Sequence, residues 1–314
     1  MARWTSADLP DQSGRTVLVT GANSGLGLRS AEALARRGAT VVMACRSAAR
    51  AEAARARVAA VASGPPPVVV PLDLADLASV RKAAAEVDAS VAALDVLMNN
   101  AGVMAPPPGR TADGFEVQFG TNHLGHFALT GLLLGALRRA PAPRVVTTSS
   151  LMHRWHAGGW DDRDLEGDAG GRWPAYGRSK LANLLFMREL ARRSAEAGVG
   201  LVSVAAHPGY ASTHLQVASA AASAGGWLVQ RAAGAAVAAG NRLVAQSDAA
   251  GALPQLYAAT MPDVAAGDYF GPGGPFEMRG SPTRVGLSAA ARDDAAARRL
   301  WAVSEQLTGV TYPW

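Results

Sequence analysis

The stretch TVLVTGANSGLG, residues 16–27, decides the fold of this 314-residue chain. It begins with Thr16–Thr20, a short β-branched run that is typical of a buried strand, and continues into a turn with three glycines. The composition from Leu28 to Arg37 is helical and stops at Gly38. A strand, a glycine turn and a helix in this order form the first half of a β–α–β unit, so we expect a parallel sheet.

The three glycines have distinct predicted roles. Gly21 permits a tight turn, Gly25 lets backbone N–H groups approach a pyrophosphate, and Gly27 permits close packing of the helix, whose N-terminus faces the anion. The spacing is G-x-x-x-G-x-G and tight turns use glycine everywhere, so it is the position between strand and helix that favours dinucleotide binding. The candidate cofactor residues of this turn are Gly21, Asn23, Ser24, Gly25, Leu26 and Gly27.

A second strand, Thr40–Ala44, ends beside the position that selects between NAD(H) and NADP(H). An acidic residue there hydrogen-bonds the ribose 2′-hydroxyl of NAD, whereas this chain has Cys45 and Arg46. Arg46 is suited to a 2′-phosphate, with Arg50 as a helper one turn later, so we predict NADP(H) as the cofactor. In the alternative interpretation Arg46 simply starts the next helix.

Strands and helices continue to alternate along the chain. Further strands are predicted at 68–72, 95–98, 144–148, 200–206 and 269–270, and further helices at 48–63, 77–91, 114–137, 179–197, 249–259 and 293–307. No polar linker divides the chain. The pattern predicts an α/β fold with one Rossmann-type domain over residues 1–314. Its doubly wound parallel sheet has about seven strands in the order 3-2-1-4-5-6-7, flanked by helices.

The ends of the third and fourth strands carry further candidate cofactor residues. The side chain of Asp73 can accept from the adenine amino group, and small residues after the fourth strand let the cofactor ribose lie against backbone. The candidates are Asp73, Leu74, Asn99, Ala101 and Gly102. For Asp73 and Asn99, capping a turn explains the residue equally well.

Asn122 lies near the middle of the predicted helix 114–137. Asparagine is unfavourable inside a helix unless its side chain acts elsewhere, so Asn122 is a candidate relay residue. His123 and His126 are three residues apart, but no further His, Asp or Glu at ligand spacing accompanies them. We therefore predict packing or surface roles for them, and no metal.

Tyr176 and Lys180 are the strongest candidates for chemistry. They lie four residues apart at the start of an apolar-faced helix, so both occupy one side of it. A free phenol has a pKa of about 10 and releases its proton poorly near neutrality unless a cation stabilises the phenolate. Lys180 is one of only two lysines and can be that cation. In the alternative, Tyr176 packs its ring while Lys180 covers a surface.

Other residues near the predicted active site follow the later strands. Ser149 and Ser150 end the fifth strand, where either can donate to a substrate carbonyl. After the sixth strand, Pro208 and Gly209 force a turn that brings Thr213 to the nicotinamide carboxamide.

Two segments are candidate substrate-binding elements. The insertion 151–174 holds Trp155, Trp160 and Trp173, which either line an apolar substrate pocket or fasten a long loop. The Ala/Gly-rich region 210–247 is a candidate lid, with disorder and plain packing as alternatives.

Composition restricts the class of protein. There is no run of about 18 strongly apolar residues and no secretory signal, so we expect a cytoplasmic protein without a membrane span. The single cysteine, Cys45, excludes an internal disulfide and disfavours a cysteine metal cluster. The net charge is +5, but the arginines are scattered, which disfavours nucleic acid as a partner.

Five stretches together resemble the short-chain dehydrogenase/reductase superfamily. They are TGANSGLG at 20–27, NNAG at 99–102, the Asn122 helix, Ser150 with Tyr176-x-x-x-Lys180, and PGYAST at 208–213. The sequences ACR at 44–46, TNHLGHF at 121–127, YGRSKLAN at 176–183 and HPG at 207–209, with the long insertion before Tyr176, are similar to the retinol dehydrogenase-like branch. That branch is in turn similar to protochlorophyllide reductases and to soluble bacterial relatives.

The resemblance implies roles for the matched residues. Tyr176 is the acid/base, and Lys180 tunes it and donates to the nicotinamide ribose. Ser150, the second serine of its pair, polarises the substrate oxygen. Asn122 holds a water that connects Lys180 to solvent. Family members often form homodimers or homotetramers.

The first hypothesis is therefore an NADP(H)-dependent oxidoreductase that moves hydride between nicotinamide and a carbonyl or secondary alcohol of a bulky apolar substrate. An alternative is reduction of a conjugated C=C bond, of the enone or protochlorophyllide type, by the same tyrosine. A third hypothesis is a non-catalytic NADP-binding regulator. The presence of all four candidate catalytic residues, Asn122, Ser150, Tyr176 and Lys180, argues against it.

Overall fold

The computed structural model describes residues 4–155, 171–210 and 246–314, and these contain one sheet of eight strands in the order β3-β2-β1-β4-β5-β6-β7-β8. Seven strands pair in parallel, and β8 pairs antiparallel with β7 at the edge. The strands are β1 Thr16–Thr20, β2 Thr40–Cys45, β3 Val68–Pro71, β4 Val96–Asn99, β5 Arg144–Thr148, β6 Val202–Ala206, β7 Tyr269–Pro272 and β8 Pro282–Arg284.

Helices cover both faces of this sheet. In β1, Val17 and Val19 pack in an apolar cluster with α1, whereas Leu18 enters a cluster on the opposite face with α3. Strands with two buried faces favour a continuous apolar run over alternation. The helices are α1 Gly25–Arg36, α2 Ala48–Ala59, α3 Leu77–Ser90, α4 Val117–Phe119, α5 Gly125–Leu132, α6 Leu134–Arg138, α7 Arg172–Glu196, α8 Asp248–Gly251, α9 Leu253–Thr260 and α10 Asp294–Thr308.

The predicted α/β fold and strand order are confirmed, with two differences in detail. The sheet gains β8, a three-residue edge strand that the sequence pattern does not reveal. The single helix expected at 114–137 is divided into α4, a π-helical turn at Gly120–Leu124, α5 and α6.

Helix α7 begins seven residues before its predicted start at Ser179. Pro174 does not prevent this, because proline is tolerated in the first turn of a helix. Tyr176 and Lys180 consequently both lie within its first three turns, buried against the sheet. Over the described ranges, no helix combines the length and apolar character needed to cross a bilayer.

Candidate active site

A groove of about 380 Å³ lies at the carboxyl edge of the sheet, over the ends of β1, β2, β3 and β4. Most of the predicted cofactor residues line it together. The lining residues are Gly21, Asn23, Ser24, Gly25, Leu26, Gly27, Ala44, Arg46, Ser47, Arg50, Leu72, Asp73, Leu74, Asn100, Ala101, Gly102, Val103 and Thr121. The carboxyl edge of such sheets is where ligands bind.

The glycine turn has the backbone that a dinucleotide requires. Gly21 and Gly25 have φ values of 68° and 51°, in the region that favours glycine. A Cβ at Gly27 would lie 2.5 Å from Gly21 O, so only glycine lets α1 pack this closely. The N-terminus of α1 therefore opens onto the groove with unpaired N–H groups that suit a pyrophosphate.

Thr20, the last residue of β1, stabilises the glycine turn and was not among the predicted cofactor residues. Its hydroxyl accepts from the backbone N–H groups of Asn100 and Ala101, at 2.9 Å each, and contacts His126 Nε2 at 2.9 Å. Asn100 Nδ2 in turn donates to Thr20 O at 2.8 Å. The β1 and β4 ends are thus fastened to each other and to α5.

The predicted 2′-phosphate residues stand at one end of the groove. Arg46, Ser47 and Arg50 line it where β2 ends and α2 begins. Asp73 also lines it, while its carboxylate accepts from Ala75 N at 3.0 Å. Asp73 therefore caps a turn as well as facing the groove.

Asn99 is placed differently from the prediction. Its side chain is fully buried and donates to Thr130 Oγ1 of α5 at 3.0 Å, so it points away from the groove. Asn100 lines the groove instead. Successive side chains at a strand end face opposite sides, so the side chain of Asn100 faces the groove and that of Asn99 does not.

Tyr176, Ser150 and Lys180 meet at the end of β5. A side-chain hydrogen bond joins Tyr176 and Ser150, and Lys180 Nζ lies 5.7 Å from the centroid of the Tyr176 ring. Burial raises the pKa of Tyr176 to about 12, and the hydrogen bond with Ser150 opposes this rise. Burial lowers the pKa of Lys180 to about 8. The phenol is thus protonated at neutral pH beside an ammonium group.

The two serines at the end of β5 have different partners. Ser149 is buried and its hydroxyl donates to Lys180 O of α7 at 2.8 Å. Ser150 instead bonds to the Tyr176 phenol. Of the two serines, Ser150 is therefore the one whose hydroxyl lies at the Tyr176 phenol.

Lys180 is held by the same strand end. Its Nζ donates to Thr148 O at 3.2 Å, and Thr148 Oγ1 donates to Gln255 Oε1 of α9 at 3.1 Å. Gln255 Nε2 donates in turn to Ser30 Oγ and Asn100 Oδ1, at 2.7 and 3.1 Å. Gln255, which sequence reasoning missed, links the cofactor groove to Thr148, the residue at the end of β5 whose carbonyl accepts from Lys180.

Asn122 lies in the π-helical turn and reaches toward Lys180. Its Oδ1 accepts from Val103 N at 2.8 Å, and its Nδ2 donates to Val103 O and Ser179 Oγ, both at 2.9 Å. A Cβ at Gly102 would lie 3.0 Å from Asn122 Oδ1 and 3.4 Å from Lys180 Nζ. Both donors of the amide are occupied, while Oδ1 keeps a second lone pair on the Lys180 side.

The two histidines beside Asn122 are buried packing residues. His123 contacts Ser304 Oγ at 2.8 Å, and burial lowers its pKa to about 3. His126 Nδ1 bonds to Asn122 O at 3.0 Å, and burial lowers its pKa to about 4. Both rings are therefore neutral. Among the described residues, no three His, Cys, Asp or Glu side chains group as metal ligands.

The remaining predicted residues lie on or beyond the loop after β6. Pro208 and Gly209 follow β6 after one intervening residue, His207, and β6 pairs with β5. Trp155 and Trp173 are exposed. Thr213, Trp160 and most of the segments 151–174 and 210–247 lie outside the described residues.

Comparison with known proteins gives matches over most of the chain. A model described as short chain dehydrogenase matches residues 15–224. Retinol dehydrogenase 14 of Mus musculus is 40% identical over an alignment that covers 95% of this chain and 86% of that protein.

Two solved structures are also similar. An uncharacterised protein from Mycobacterium paratuberculosis has 43% identity and a TM-score of 0.79, with both chains covered completely. A protein from Beutenbergia cavernae, described as an NAD(P)-dependent gluconate 5-dehydrogenase with bound NADP at low occupancy, has 27% identity and a TM-score of 0.59. That match covers 80% of this chain and 91% of the other.

Proposed function

Because the chain belongs to the short-chain dehydrogenase family, and is therefore an oxidoreductase acting on a CH–OH or C=O group, we propose that it transfers hydride between NADP(H) and a bulky apolar ketone or secondary alcohol. The observation that carries the proposal is the junction of Tyr176, Ser150 and Lys180 at the carboxyl end of β5. It stands beside a groove with a glycine turn suited to a dinucleotide.

In the direction of reduction, bound NADPH supplies hydride to the carbonyl carbon. Tyr176 donates its proton to the carbonyl oxygen, and Ser150 donates a hydrogen bond to the same oxygen. Lys180 stabilises the negative charge that develops on the phenol oxygen, because an ammonium group near a phenolate favours the ionised form. The free lone pair of Asn122 Oδ1 holds a water through which Tyr176 regains a proton by way of Lys180.

The choice of NADP(H) rests on charge at the end of β2. Arg46 and Arg50 line the groove there, together with Ser47. Among the described residues that line the groove, Asp73 at the end of β3 is the only one with a carboxylate. Two guanidinium groups suit a 2′-phosphate, whereas NAD offers them a neutral hydroxyl. The similar protein from Beutenbergia cavernae is described with bound NADP.

Arg46→Asp is expected to lower NADPH affinity by about 10- to 100-fold and to improve NADH binding, because a charge-assisted hydrogen bond of about 1.5–3 kcal/mol is replaced by repulsion. Calorimetric titration with both cofactors measures this change. Arg55→Asp is the matched control, since Arg55 lies on α2, the helix that follows Arg46, pairs with Glu52 and does not line the groove. An unchanged NADPH preference in Arg46→Asp would remove Arg46 from the cofactor site.

The apolar substrate is proposed from two sources. The relative from Mus musculus is a retinol dehydrogenase by name, and retinol is a bulky apolar alcohol. Trp155 follows Ser150 by five residues and Trp173 precedes Tyr176 by three, and both present exposed indole surface. We propose that segments 151–174 and 210–247 complete the substrate site within one domain over residues 1–314.

A panel of hydrophobic ketones and alcohols, assayed with NADPH or NADP, tests the proposed function. We expect turnover of a bulky apolar ketone to the secondary alcohol. Chromatography of the product distinguishes this from C=C reduction, which would leave the carbonyl intact. Absence of any turnover from a protein that binds NADPH would contradict the proposal.

The pH dependence of reduction should follow Lys180. Burial lowers the pKa of Lys180 to about 8 and raises the pKa of Tyr176 to about 12, so Lys180 is the group that loses a proton first as pH rises. Charged Lys180 is present below this pKa, and kcat/KM should fall as pH rises through about 8. A flat profile between pH 7 and 10 would show that the charge on Lys180 does not assist the reaction.

A further inference from the structure

A second set of side chains joins the turn after β5 to the loop after β6. The carboxylate of Glu277 contacts Arg154 Nη2 through Oε1 at 2.8 Å and His207 Nε2 through Oε2 at 3.0 Å. We call Arg154, Glu277 and His207 the Glu277 bridge. Arg154 belongs to the turn Leu151–Trp155 directly after Ser150, and His207 precedes Pro208 and Gly209.

The bonding pattern fixes the protonation of the bridge. Gly209 N donates to His207 Nδ1 at 3.1 Å, so the ring proton lies on Nε2 and is donated to Glu277. Burial lowers the pKa of His207, which keeps the ring neutral. The hydrogen bond from His207, with help from Arg154, lowers the pKa of Glu277 to about 2. The bridge is therefore a carboxylate between a guanidinium and a neutral imidazole.

The backbone that carries Glu277 is strained. Phe276 and Glu277 have φ values of 53° and 56°, in the left-handed region that non-glycine residues rarely adopt. Such residues cost about 1–3 kcal/mol each and persist only where their surroundings hold them. Packing of Phe276 does not provide this, because its side chain is 87% exposed. Besides its own backbone hydrogen bonds, such as Glu277 N to Gly274 O at 3.0 Å, the contacts that hold the turn are those of the Glu277 side chain and of the loop it touches.

The strained turn lies directly on the loop after β6. Tyr210 N donates to Met278 O at 2.8 Å. A Cβ at Gly209 would lie 2.5 Å from Met278 O and 2.8 Å from Glu277 O, so the two segments are in close contact. On the other side, His153 Nδ1 bonds to Ser150 O at 2.6 Å, which ties the Arg154 turn to the serine. The bridge thus connects Ser150 to Pro208 and Gly209.

We propose that Glu277 is a positioning residue, which sets the Ser150 turn and the Pro208–Gly209 loop at the distance that the reaction needs. The inference rests on the proposed function, in which Ser150 donates to the substrate oxygen, and on the expectation from the sequence that the Pro208–Gly209 turn leads to the nicotinamide. Glu277 does not touch the adenosine half of the groove. Strands β1 and β7 are four places apart in the sheet, or about 19 Å at the usual strand spacing.

Glu277→Gln and Glu277→Ala test the proposal. Loop displacement of about 1 Å can reduce turnover by about 100-fold, so we expect kcat to fall by about 10-fold in Glu277→Gln and further in Glu277→Ala. Affinity for 2′,5′-ADP, which mimics the adenosine half, should be unchanged in both. Asp88→Asn is the matched control: it breaks an Arg139–Asp88 pair of the same 2.8 Å length at the end of α3 and should leave kcat unchanged.

If Glu277 only stabilises the fold, its variants should differ from the wild-type protein in melting temperature but not in kcat. The melting temperature would fall, but kcat measured well below that temperature would equal that of the wild-type protein, which would overturn the proposal. Arg154→Gln removes the ion pair between Arg154 and Glu277 and leaves the Glu277–His207 bond. If the Glu277 variants do not fold, the kcat of Arg154→Gln tests the proposal in their place. Loss of 2′,5′-ADP binding along with kcat in a folded variant would also overturn the proposal.

Nicotinamide fluorescence separates this inference from the proposed function. The lifetime of bound NADPH should shorten in Glu277→Gln, because the nicotinamide is held less rigidly. If wild-type protein binds NADPH but turns over no substrate, the proposed function fails. The fluorescence lifetime of bound NADPH is then the measurement that tests the role of Glu277. An identical lifetime in wild-type protein and Glu277→Gln would then overturn the inference.

Discussion

Tyr176→Phe is expected to reduce kcat by about 10²- to 10⁴-fold, which is the usual contribution of a general acid/base. The substitution removes only the phenol oxygen, and with it the hydrogen bond to Ser150 and the proton delivered to substrate. The ring stays buried against the sheet, so the fold and the cofactor groove are retained. NADPH affinity, measured by fluorescence titration, should change by less than about 2-fold.

Tyr257→Phe is the matched control for this experiment. Tyr257 also donates its phenol to a side chain, Asp263, at 2.9 Å, but it lies on α9 and packs on Trp4 and Phe270. Its loss should leave kcat unchanged. Turnover by Tyr176→Phe at the rate of Tyr257→Phe would rule out Tyr176 as the proton donor.

Lys180→Met should have the second largest effect, a loss of kcat of about 10²-fold or more. Methionine fills a similar volume but removes the ammonium group 5.7 Å from the Tyr176 ring and the bond to Thr148 O. At an effective dielectric constant of about 20, a unit charge at such a distance is worth about 3 kcal/mol. The fall of kcat/KM around pH 8 should disappear together with Lys180.

Lys82→Met is the control, since Lys82 is the only other lysine and stands exposed on α3. The expected result is wild-type kcat and an unchanged pH profile. A decline near pH 8 that survives in Lys180→Met would assign that titration to another group and contradict the role given to Lys180.

Most strands were predictable because they are short apolar runs, rich in β-branched residues and bounded by turns. The run at β1 and the glycine turn after it lie where the sequence placed them, and the parallel order follows from the alternation with helices. Strand β8 was not predictable: it has three residues, Pro282–Arg284, with no apolar pattern, and it exists because β7 offers an edge. The π-helical turn around Asn122 depends on bonds to Val103 and Ser179, which are distant in sequence.

The residues of the candidate site also include some that the sequence predicted and some that it did not. Tyr176 and Lys180 were found because they share one helix at a recognisable spacing. Asn99 was a candidate cofactor residue, but its side chain donates to Thr130 and Asn100 lines the groove, because the backbone at the end of β4 decides which asparagine side chain faces it. Gln255 and Glu277 were missed, since their partners lie up to 229 and 123 residues away and no local pattern marks them.

The most direct test of the central claim uses NADPH with deuterium at the transferable position of nicotinamide C4 and a bulky apolar ketone. Mass spectrometry then locates the label in the product of wild-type protein and of Tyr176→Phe. We predict one deuterium on the carbinol carbon with the wild-type protein and almost no product with Tyr176→Phe. Label on a carbon beside an intact carbonyl, or labelled alcohol formed by Tyr176→Phe at the wild-type rate, would contradict carbonyl reduction with Tyr176 as the proton donor.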